Sequence, residues 1–119
     1  MTAFKFEKSA EIDLSIIIVS FNTHDVLLDC LESVYAKTEG ISFEIIVVDN
    51  ASNDGTNASV SERFPDVRLV CNDENKGFSA ANNQGIRISL GRWVALLNPD
   101  TCMIENSFQI ISNYLREHS

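Results

Sequence analysis

The sequence predicts an α/β fold with a mostly parallel sheet and helices on both faces. Short β-branched and apolar runs alternate with stretches in which apolar residues recur at helical spacing. The predicted order is β-α-β-α-β-α-β-α, and such alternation favours right-handed crossovers between parallel strands. Polar residues gather directly after three of these strands, which is where ligands bind in open sheets of this kind.

Four strands are predicted, and each ends at a polar or turn-forming residue. Residues 14–20 and 43–49 are continuous apolar runs, typical of strands that are buried on both faces. The runs at 67–71 and 93–97 are shorter, and Asn-Pro-Asp stops the second of them.

Helices are predicted between and after the strands, where apolar residues lie on one helical face. They cover residues 24–37, 57–64 and 78–88, and a last amphipathic helix spans 104–115. Residues 1–11 are polar with two phenylalanines, and we expect them to form a loose N-terminal arm. No linker or repeat interrupts the pattern, so residues 1–119 are interpreted as a single domain.

Charge and composition exclude several classes of protein. The 119 residues are 45% hydrophobic, which fits one globular core and not a disordered chain. Nine Lys plus Arg against 17 Asp plus Glu give a net charge of −8, which argues against nucleic acid as a partner. An anionic ligand would need a local metal ion, a helix N-terminus or backbone amides.

Several common site motifs are missing. The three cysteines form no CxxC pair, which argues against a zinc site or a disulfide framework and favours reduced thiols in a cytoplasmic protein. There is no GxxxxGK(S/T) and no GxGxxG after the first strand, which excludes a P-loop and argues against a dinucleotide enzyme. Neither His24 nor His118 has a plausible Ser or Cys partner in the sequence, so a hydrolase triad has no support.

Two acidic residues stand out at the strand ends. Asp49 and Asp100 each follow a hydrophobic strand, and we interpret them as functional. Asn53 and Asp54 lie in a dense turn cluster and are better explained as turn-forming and helix-capping residues.

Four segments together resemble the family 2 glycosyltransferases of the GT-A fold. They are SIIIVSFN at 15–22, IVVDNASNDGT at 46–56, NKGFSAANNQG at 75–85 and ALLNPD at 95–100. The resemblance covers residues 13–118, and the Asn-Pro-Asp form is most similar to a rhamnosyltransferase-like branch. It implies the Rossmann-like, nucleotide-binding half of a GT-A fold, which is the N-terminal donor-binding part of such an enzyme.

The resemblance also implies roles for single residues. Those that would line the nucleotide pocket after the first strand are Ser20, Phe21 and Asn22. Asp49 would accept a hydrogen bond from the ring N–H of uracil or thymine, which suits a carboxylate because it only accepts. Lys76 and Gly77 would lie near the nucleotide or its diphosphate, where a cation and a bare backbone suit an anion.

A metal site is implied at the end of the fourth strand. Asp100 would be a ligand of Mg²⁺ or Mn²⁺, and such an ion stabilises the charge on a departing nucleoside diphosphate. Asn98 stands where the family has its first acidic residue, so metal affinity without nucleotide should be low. Asn98 would instead contact the ribose of the nucleotide or orient Asp100.

The implied activity is inverting transfer of a sugar from dTDP-rhamnose or a UDP-sugar to a glycan or lipid-linked acceptor. Neither Glu105 nor Glu117 matches the family's general base, so we expect that base beyond Ser119 and no turnover by this chain alone. Polysaccharide biosynthesis at the inner membrane face, with the parent protein bound to the membrane, is part of the same expectation.

Two other interpretations stay open on the sequence alone. One is a non-catalytic nucleotide-binding or assembly module, and the other is a generic doubly wound domain whose Asp residues only form turns. A half-sheet exposes an edge and apolar surface, so we also expect a homo-oligomer.

Overall fold

The computed structural model describes residues 2–5 and 12–101, and singly Asn113 and Glu117. Within the two continuous ranges, the elements in chain order are β1 (Thr2–Lys5), β2 (Ile12–Ser20), α1 (His24–Lys37), β3 (Phe43–Asp49), α2 (Thr56–Arg63), β4 (Arg68–Cys71), α3 (Phe78–Ile88) and β5 (Gly91–Leu97). The predicted helix at 104–115 falls outside the described residues, apart from the helical Asn113. None of the described helices is long and apolar enough to cross a bilayer.

The described strands form one sheet in the order β1-β5-β2-β3-β4. β2 lies parallel to β3 and β5, and β3 lies parallel to β4. The predicted mostly parallel sheet with helices on both faces is therefore confirmed. Since β3 lies on one side of β2 and β5 on the other, the strand order reverses at β2, and the cleft of such a sheet lies at this reversal.

The predicted loose arm at residues 1–11 is wrong for residues 2–5. These four residues form β1, which pairs antiparallel with β5 from Thr2↔Leu96 to Lys5↔Trp93. Pairing satisfies the outer backbone groups of β5. The side chains of Ala3 and Phe4 pack against opposite core clusters, as alternation along a strand requires. Residues 6–11 lie outside the described part of the chain.

Apolar side chains fill both faces of the sheet. One cluster joins the face that carries Ile16 and Ile18 to α1 and α2, and the other joins the face that carries Ile17 and Val19 to α3. These four side chains are at most 9% exposed. Alternate residues of β2 thus serve opposite layers, which is why its sequence is apolar without interruption.

Candidate functional site

The segment after β2 begins at a buried serine and turns sharply outward. Ser20 is fully buried, and its hydroxyl lies 2.9 Å from the hydroxyl of Thr23. Phe21 is 47% exposed, and Asn22 is also exposed with a left-handed φ of 50°. Asparagine tolerates that conformation better than most residues. Of the three residues predicted to line the pocket, Phe21 and Asn22 reach the surface, whereas Ser20 supports them from below.

Asn22 and Ser52 join the loop after β2 to the loop after β3. The Asn22 backbone N–H donates to the Ser52 hydroxyl at 2.8 Å, and the Asn22 side-chain oxygen accepts from the Asn53 N–H at 2.9 Å. Directly below, the Asn50 N–H donates to the Ser20 carbonyl at 2.8 Å. The two loops therefore form one bonded surface at the carboxyl edge.

Asp49 is fully buried at the end of β3. One carboxylate oxygen accepts from the Ser52 N–H at 2.8 Å, and the other accepts from the Ser52 hydroxyl at 2.5 Å. A side chain of this kind, bonded to the backbone a few residues on, is typical of Asx-type turns. Both carboxylate oxygens are thus bonded within the 50–55 loop, which they order, and the expected direct contact of Asp49 with a nucleotide base stays a prediction.

Asn50 was not among the residues singled out from the sequence, but it lies at the centre of the site. Its side chain is bonded on both sides and the residue is 2% exposed. The amide nitrogen donates to the Gly77 carbonyl at 3.2 Å, and the amide oxygen accepts from the Lys76 N–H at 3.3 Å. The position of Asn50, directly after a buried strand and beside Asp49, was the signal that could have identified it.

Lys76 and Gly77 lie at the start of α3, on the exposed stretch that follows β4. Gly77 has a φ of 86° and a ψ of 166°, a conformation almost restricted to glycine. No side chain caps the first turn of α3. Among the described residues, the Lys76 ammonium takes part in no ion pair or hydrogen bond. A cation and uncapped helix N–H groups thus occur side by side.

Asn98 and Asp100 lie on a tight turn after β5. The Thr101 N–H donates to the Asn98 carbonyl at 3.1 Å, and Pro99 and Asp100 form the centre of the turn. β5 pairs with β2 as far as Ile18↔Leu97, so Asn98 begins beside the end of β2. Both Asn98 and Asp100 are exposed.

The chemistry of this turn suits a hard cation that is held mainly by its substrate. No group of three His, Cys, Asp or Glu side chains suited to a metal exists among the described residues. One exposed carboxylate, on Asp100, and one amide oxygen, on Asn98, are the donors that the turn presents. Mg²⁺ and Mn²⁺ take oxygen ligands, and Mg²⁺ sites often use one or two carboxylates completed by phosphates and waters. The donor set therefore fits such an ion in the presence of a diphosphate.

His24 has partners that the sequence did not predict. Its Nε2 lies 2.8 Å from the Ser59 hydroxyl and its Nδ1 lies 2.7 Å from a carboxylate oxygen of Asp25. The spacing is that of a Ser-His-Asp relay, but the Asp25 side chain is 95% exposed, whereas a relay needs a buried aspartate. We interpret the three residues as a connection between α1 and α2.

Asp54 joins the starts of the same two helices. It accepts hydrogen bonds from the backbone N–H groups of His24 at 3.1 Å and Thr56 at 3.2 Å, and from the Thr56 hydroxyl. The pKa of Asp54 lies below its usual value. The hydrogen bond from the Thr56 hydroxyl is the main cause, and the two backbone hydrogen bonds lower the pKa further. The bonds to Thr56 agree with the prediction that Asp54 forms a turn, whereas the N-cap residues of α1 and α2 are Thr23 and Gly55. Beside it lies a groove of ≈ 500 Å³ that is lined by residues 22–26 and Asp54.

Comparisons of the sequence point to one family. Residues 15–119 match the model described as Glycosyl transferase family 2. Succinoglycan biosynthesis protein ExoO of Rhizobium meliloti (strain 1021) is 39% identical over 90 residues, which cover 74% of this chain and 25% of ExoO. The Escherichia coli protein WfaP, named a UDP-Glc:alpha-D-GlcNAc-diphosphoundecaprenol beta-1,3-glucosyltransferase, is 34% identical over 89 residues, or 73% of this chain and 35% of WfaP. The chain thus spans 25% to 35% of the length of these two relatives.

Solved structures share the fold. The crystal structure of S. aureus TarS 1-349 superposes with a TM-score of 0.79 and 22% identity over 90% of this chain and 33% of TarS. Mannosyltransferase PcManGT from Pyrobaculum calidifontis superposes with a TM-score of 0.75 and 24% sequence identity. The match covers 92% of this chain and 35% of PcManGT. Because the family model matches nearly the whole chain and the sheet matches GT-A glycosyltransferase structures, the protein belongs to glycosyl transferase family 2.

Proposed function

We propose that this chain carries the donor-binding part of a glycosyltransferase. The enzyme would transfer a sugar, with inversion, from a nucleotide diphosphate to a glycan or lipid-linked acceptor. The observation that carries the proposal is the bonded surface at the carboxyl edge, where the loops after β2 and β3 meet the start of α3 through Asn22, Ser52 and Asn50. Open α/β sheets bind nucleotides at this place.

The nucleoside is proposed to lie against the two joined loops. Phe21 offers an exposed aromatic face, and Asn22 offers polar atoms beside it. Ser20 and Asp49 support this surface from within. A UDP-sugar is the favoured donor, ahead of dTDP-rhamnose, since the name of WfaP gives UDP-Glc and TarS has been crystallised with UDP and with UDP-GlcNAc.

The diphosphate is proposed to lie at the start of α3. Lys76 supplies a positive charge there, and the uncapped first turn of α3 supplies backbone N–H groups and the positive end of the helix dipole. Local attraction of this kind is needed because the chain carries a net charge of −8, which disfavours an anion at longer range.

Asp100 and Asn98 would hold Mg²⁺ or Mn²⁺ together with the diphosphate. When bound, the ion supplies charge that stabilises the departing nucleoside diphosphate. PcManGT was solved with GDP-Man and Mn²⁺, which supports a divalent cation beside the donor here. Asp100 would contribute negative charge to hold this ion, and its turn, closed by the Thr101 N–H, follows β5 at the carboxyl edge of the sheet.

Calorimetric titration of the purified chain with UDP, dTDP and GDP, with and without Mn²⁺, tests the proposal. We expect saturable binding of the pyrimidine diphosphates that strengthens with Mn²⁺ and exceeds the binding of GDP. Asp100→Ala should abolish the Mn²⁺-dependent gain, since it removes the carboxylate ligand. Asp66→Ala is the matched control, because Asp66 is an exposed acid between α2 and β4, at the amino edge.

Two results would contradict the proposal. If no diphosphate binds at millimolar concentration with Mn²⁺ present, the chain does not carry a donor site. If Asp100→Ala keeps the full Mn²⁺ effect, the metal is held elsewhere.

A further inference from the structure

Two side-chain amides form a reciprocal pair between the loop after β4 and the middle of α3. The Asn72 amide nitrogen donates to the Gln84 amide oxygen at 2.8 Å, and the Gln84 nitrogen donates to the Asn72 oxygen at 2.8 Å. Both residues are half-buried. Because each oxygen must face the other residue's nitrogen, the pair fixes the orientation of both amides.

The second N–H of the Asn72 amide links this amide pair to Asn50. It donates to the Asn50 oxygen at 3.0 Å, and the Asn72 backbone N–H donates to the Asp49 carbonyl at 2.9 Å. With both donors and its oxygen engaged, the Asn72 amide cannot rotate without breaking three hydrogen bonds. Asn50 in turn accepts from the Lys76 N–H and donates to the Gly77 carbonyl.

The stretch that contains Lys76 and Gly77 is held by few interactions other than its hydrogen bonds with Asn50. Residues 73–80 are all exposed, so burial of apolar side chains does not hold the stretch before α3 in place. Gly77 also adopts a backbone conformation that is sparsely populated unless its surroundings impose it. Hydrogen bonds from Asn50 are therefore a main determinant of where Lys76 and Gly77 lie.

We infer that Asn72 and Gln84 are positioning residues for donor binding, acting through Asn50 to hold the Lys76–Gly77 turn against the diphosphate. This inference rests on the proposed function. Neither amide touches the donor in this arrangement. Their contribution is to fix the Lys76 backbone before binding, so that less conformational freedom is lost when the diphosphate binds.

The number of hydrogen bonds that each amide nitrogen makes predicts which of two conservative substitutions disturbs the site more. Asn72→Asp replaces a nitrogen that makes two hydrogen bonds by an oxygen facing the acceptors of Asn50 and Gln84. Gln84→Glu replaces a nitrogen that makes one hydrogen bond, to the Asn72 oxygen. Asn72→Asp should therefore disturb the turn more than Gln84→Glu, although both changes keep the shape of the side chain.

The test compares UDP with uridine as probes, because only UDP carries the diphosphate. We expect Gln84→Ala to weaken UDP binding about tenfold, the effect of losing roughly one hydrogen bond to a preorganised site, and to leave uridine binding within about twofold. Lys76→Ala should cost less affinity for UDP in the Gln84→Ala background than in the parent, as coupled residues do in a double-mutant cycle. Asn83→Ala is the matched control, since it deletes an exposed amide from the adjacent position of α3.

The outcomes separate this inference from the proposed function. If the parent does not bind UDP, the proposed function fails and the inference fails with it. If the parent binds UDP but Gln84→Ala binds it equally well, or loses UDP and uridine affinity alike, the inference alone is wrong. Should Gln84→Ala not fold, Gln84→Met keeps the length and helix propensity of the side chain while removing both amide bonds, and the same criteria apply to it.

Discussion

Ser52 is the residue at which the two loops of the carboxyl edge meet. Its hydroxyl accepts from the Asn22 N–H and donates to Asp49, and its own N–H donates to the second oxygen of Asp49. Asn22 and Asp49 are thereby connected through one hydroxyl group. A buried carboxyl group that loses these donors is left with unsatisfied polar atoms, which is costly.

Asp49 and Ser52 should therefore behave as one unit in UDP binding. We expect Asp49→Ala and Ser52→Ala each to weaken UDP binding by about three- to tenfold, because either change frees the loop that carries Asn50. The double variant should lose less affinity than the sum of the two single losses, since the hydrogen bond between the Ser52 hydroxyl and Asp49 can be lost only once. Calorimetry on the three variants measures this.

Ser61→Ala on the exposed face of α2 is the control for loss of a serine hydroxyl. A different pattern would support the expected direct contact between Asp49 and the base. In that case Asp49→Ala would abolish the preference for UDP over GDP, whereas Ser52→Ala would leave this preference intact.

The candidate site residues that the sequence could indicate are those within the four segments that resemble the family, such as Asn22, Lys76 and Asp100. The amides of Asn50, Asn72 and Gln84 could not be assigned in this way. Asn50 meets Gly77 across 27 positions, and Asn72 meets Gln84 across 12. Such pairings depend on where a crossover brings two segments together, which no local pattern encodes.

Among the elements, apolar periodicity predicted the central strands and helices correctly, but it missed the edge strand β1 and the first residues of β5. The bounds of α1, β3 and α3 agree with the prediction, because each has a clear apolar pattern and a polar end. β1 was missed because four residues are too short for any period to appear. β5 begins at Gly91, earlier than predicted, because pairing with Ile12 of β2 extends the strand beyond its apolar core.

Gly85 determines how closely α3 approaches the sheet. A Cβ at this position would lie 2.7 Å from Cγ2 of Ile17, a β-branched side chain with little rotamer freedom. We expect Gly85→Ala to lower the free energy of unfolding by about 1–3 kcal/mol, an overpacking cost that exceeds the helix-propensity gain of about 1 kcal/mol. Urea denaturation followed by circular dichroism measures the change.

The same substitution tests whether α3 and the donor site move together. Because Gln84 precedes Gly85, a displaced helix should also weaken UDP binding. Ile17→Ala in the Gly85→Ala background opens space for the new methyl group, so it should recover part of the lost UDP affinity. An unchanged stability of Gly85→Ala would mean that the helix and sheet are less closely packed than the structure indicates.

At the scale of the whole molecule, a sheet with apolar layers on both faces brings the loops of the candidate site together at its carboxyl edge. The parallel strands β2, β3, β4 and β5 all end there, so loops that are distant in sequence share a surface. The expected homo-oligomer stays a prediction. Sedimentation velocity over a range of concentrations tests it, and a monomer at every concentration would contradict it.

The pH dependence of stability depends on groups at opposite ends of the fold. The pKa of Cys71 at the end of β4 is raised. Desolvation is the larger cause, and the electrostatic effect of the nearby Asp49 is the smaller one. Desolvation, followed by Asp66, raises the pKa of Tyr35, whose ring stacks on Phe64. In both cases folding favours the protonated form, so the folded state binds these protons more tightly than the unfolded chain does.

Raised pKa values of this kind make the folded state less stable at alkaline pH. The stabilisation is complete below the unfolded pKa values, about 8.5 for Cys and about 10 for Tyr, and is lost as the pH rises through the higher folded values. Melting temperatures measured under reducing conditions should therefore fall as the pH rises from about 8.5. Cys71→Ser should flatten the first part of this decline and Tyr35→Phe the part above about pH 10, because folding links both groups to one cooperative transition. Equal alkaline slopes in the parent and both variants would show that other groups govern the decline.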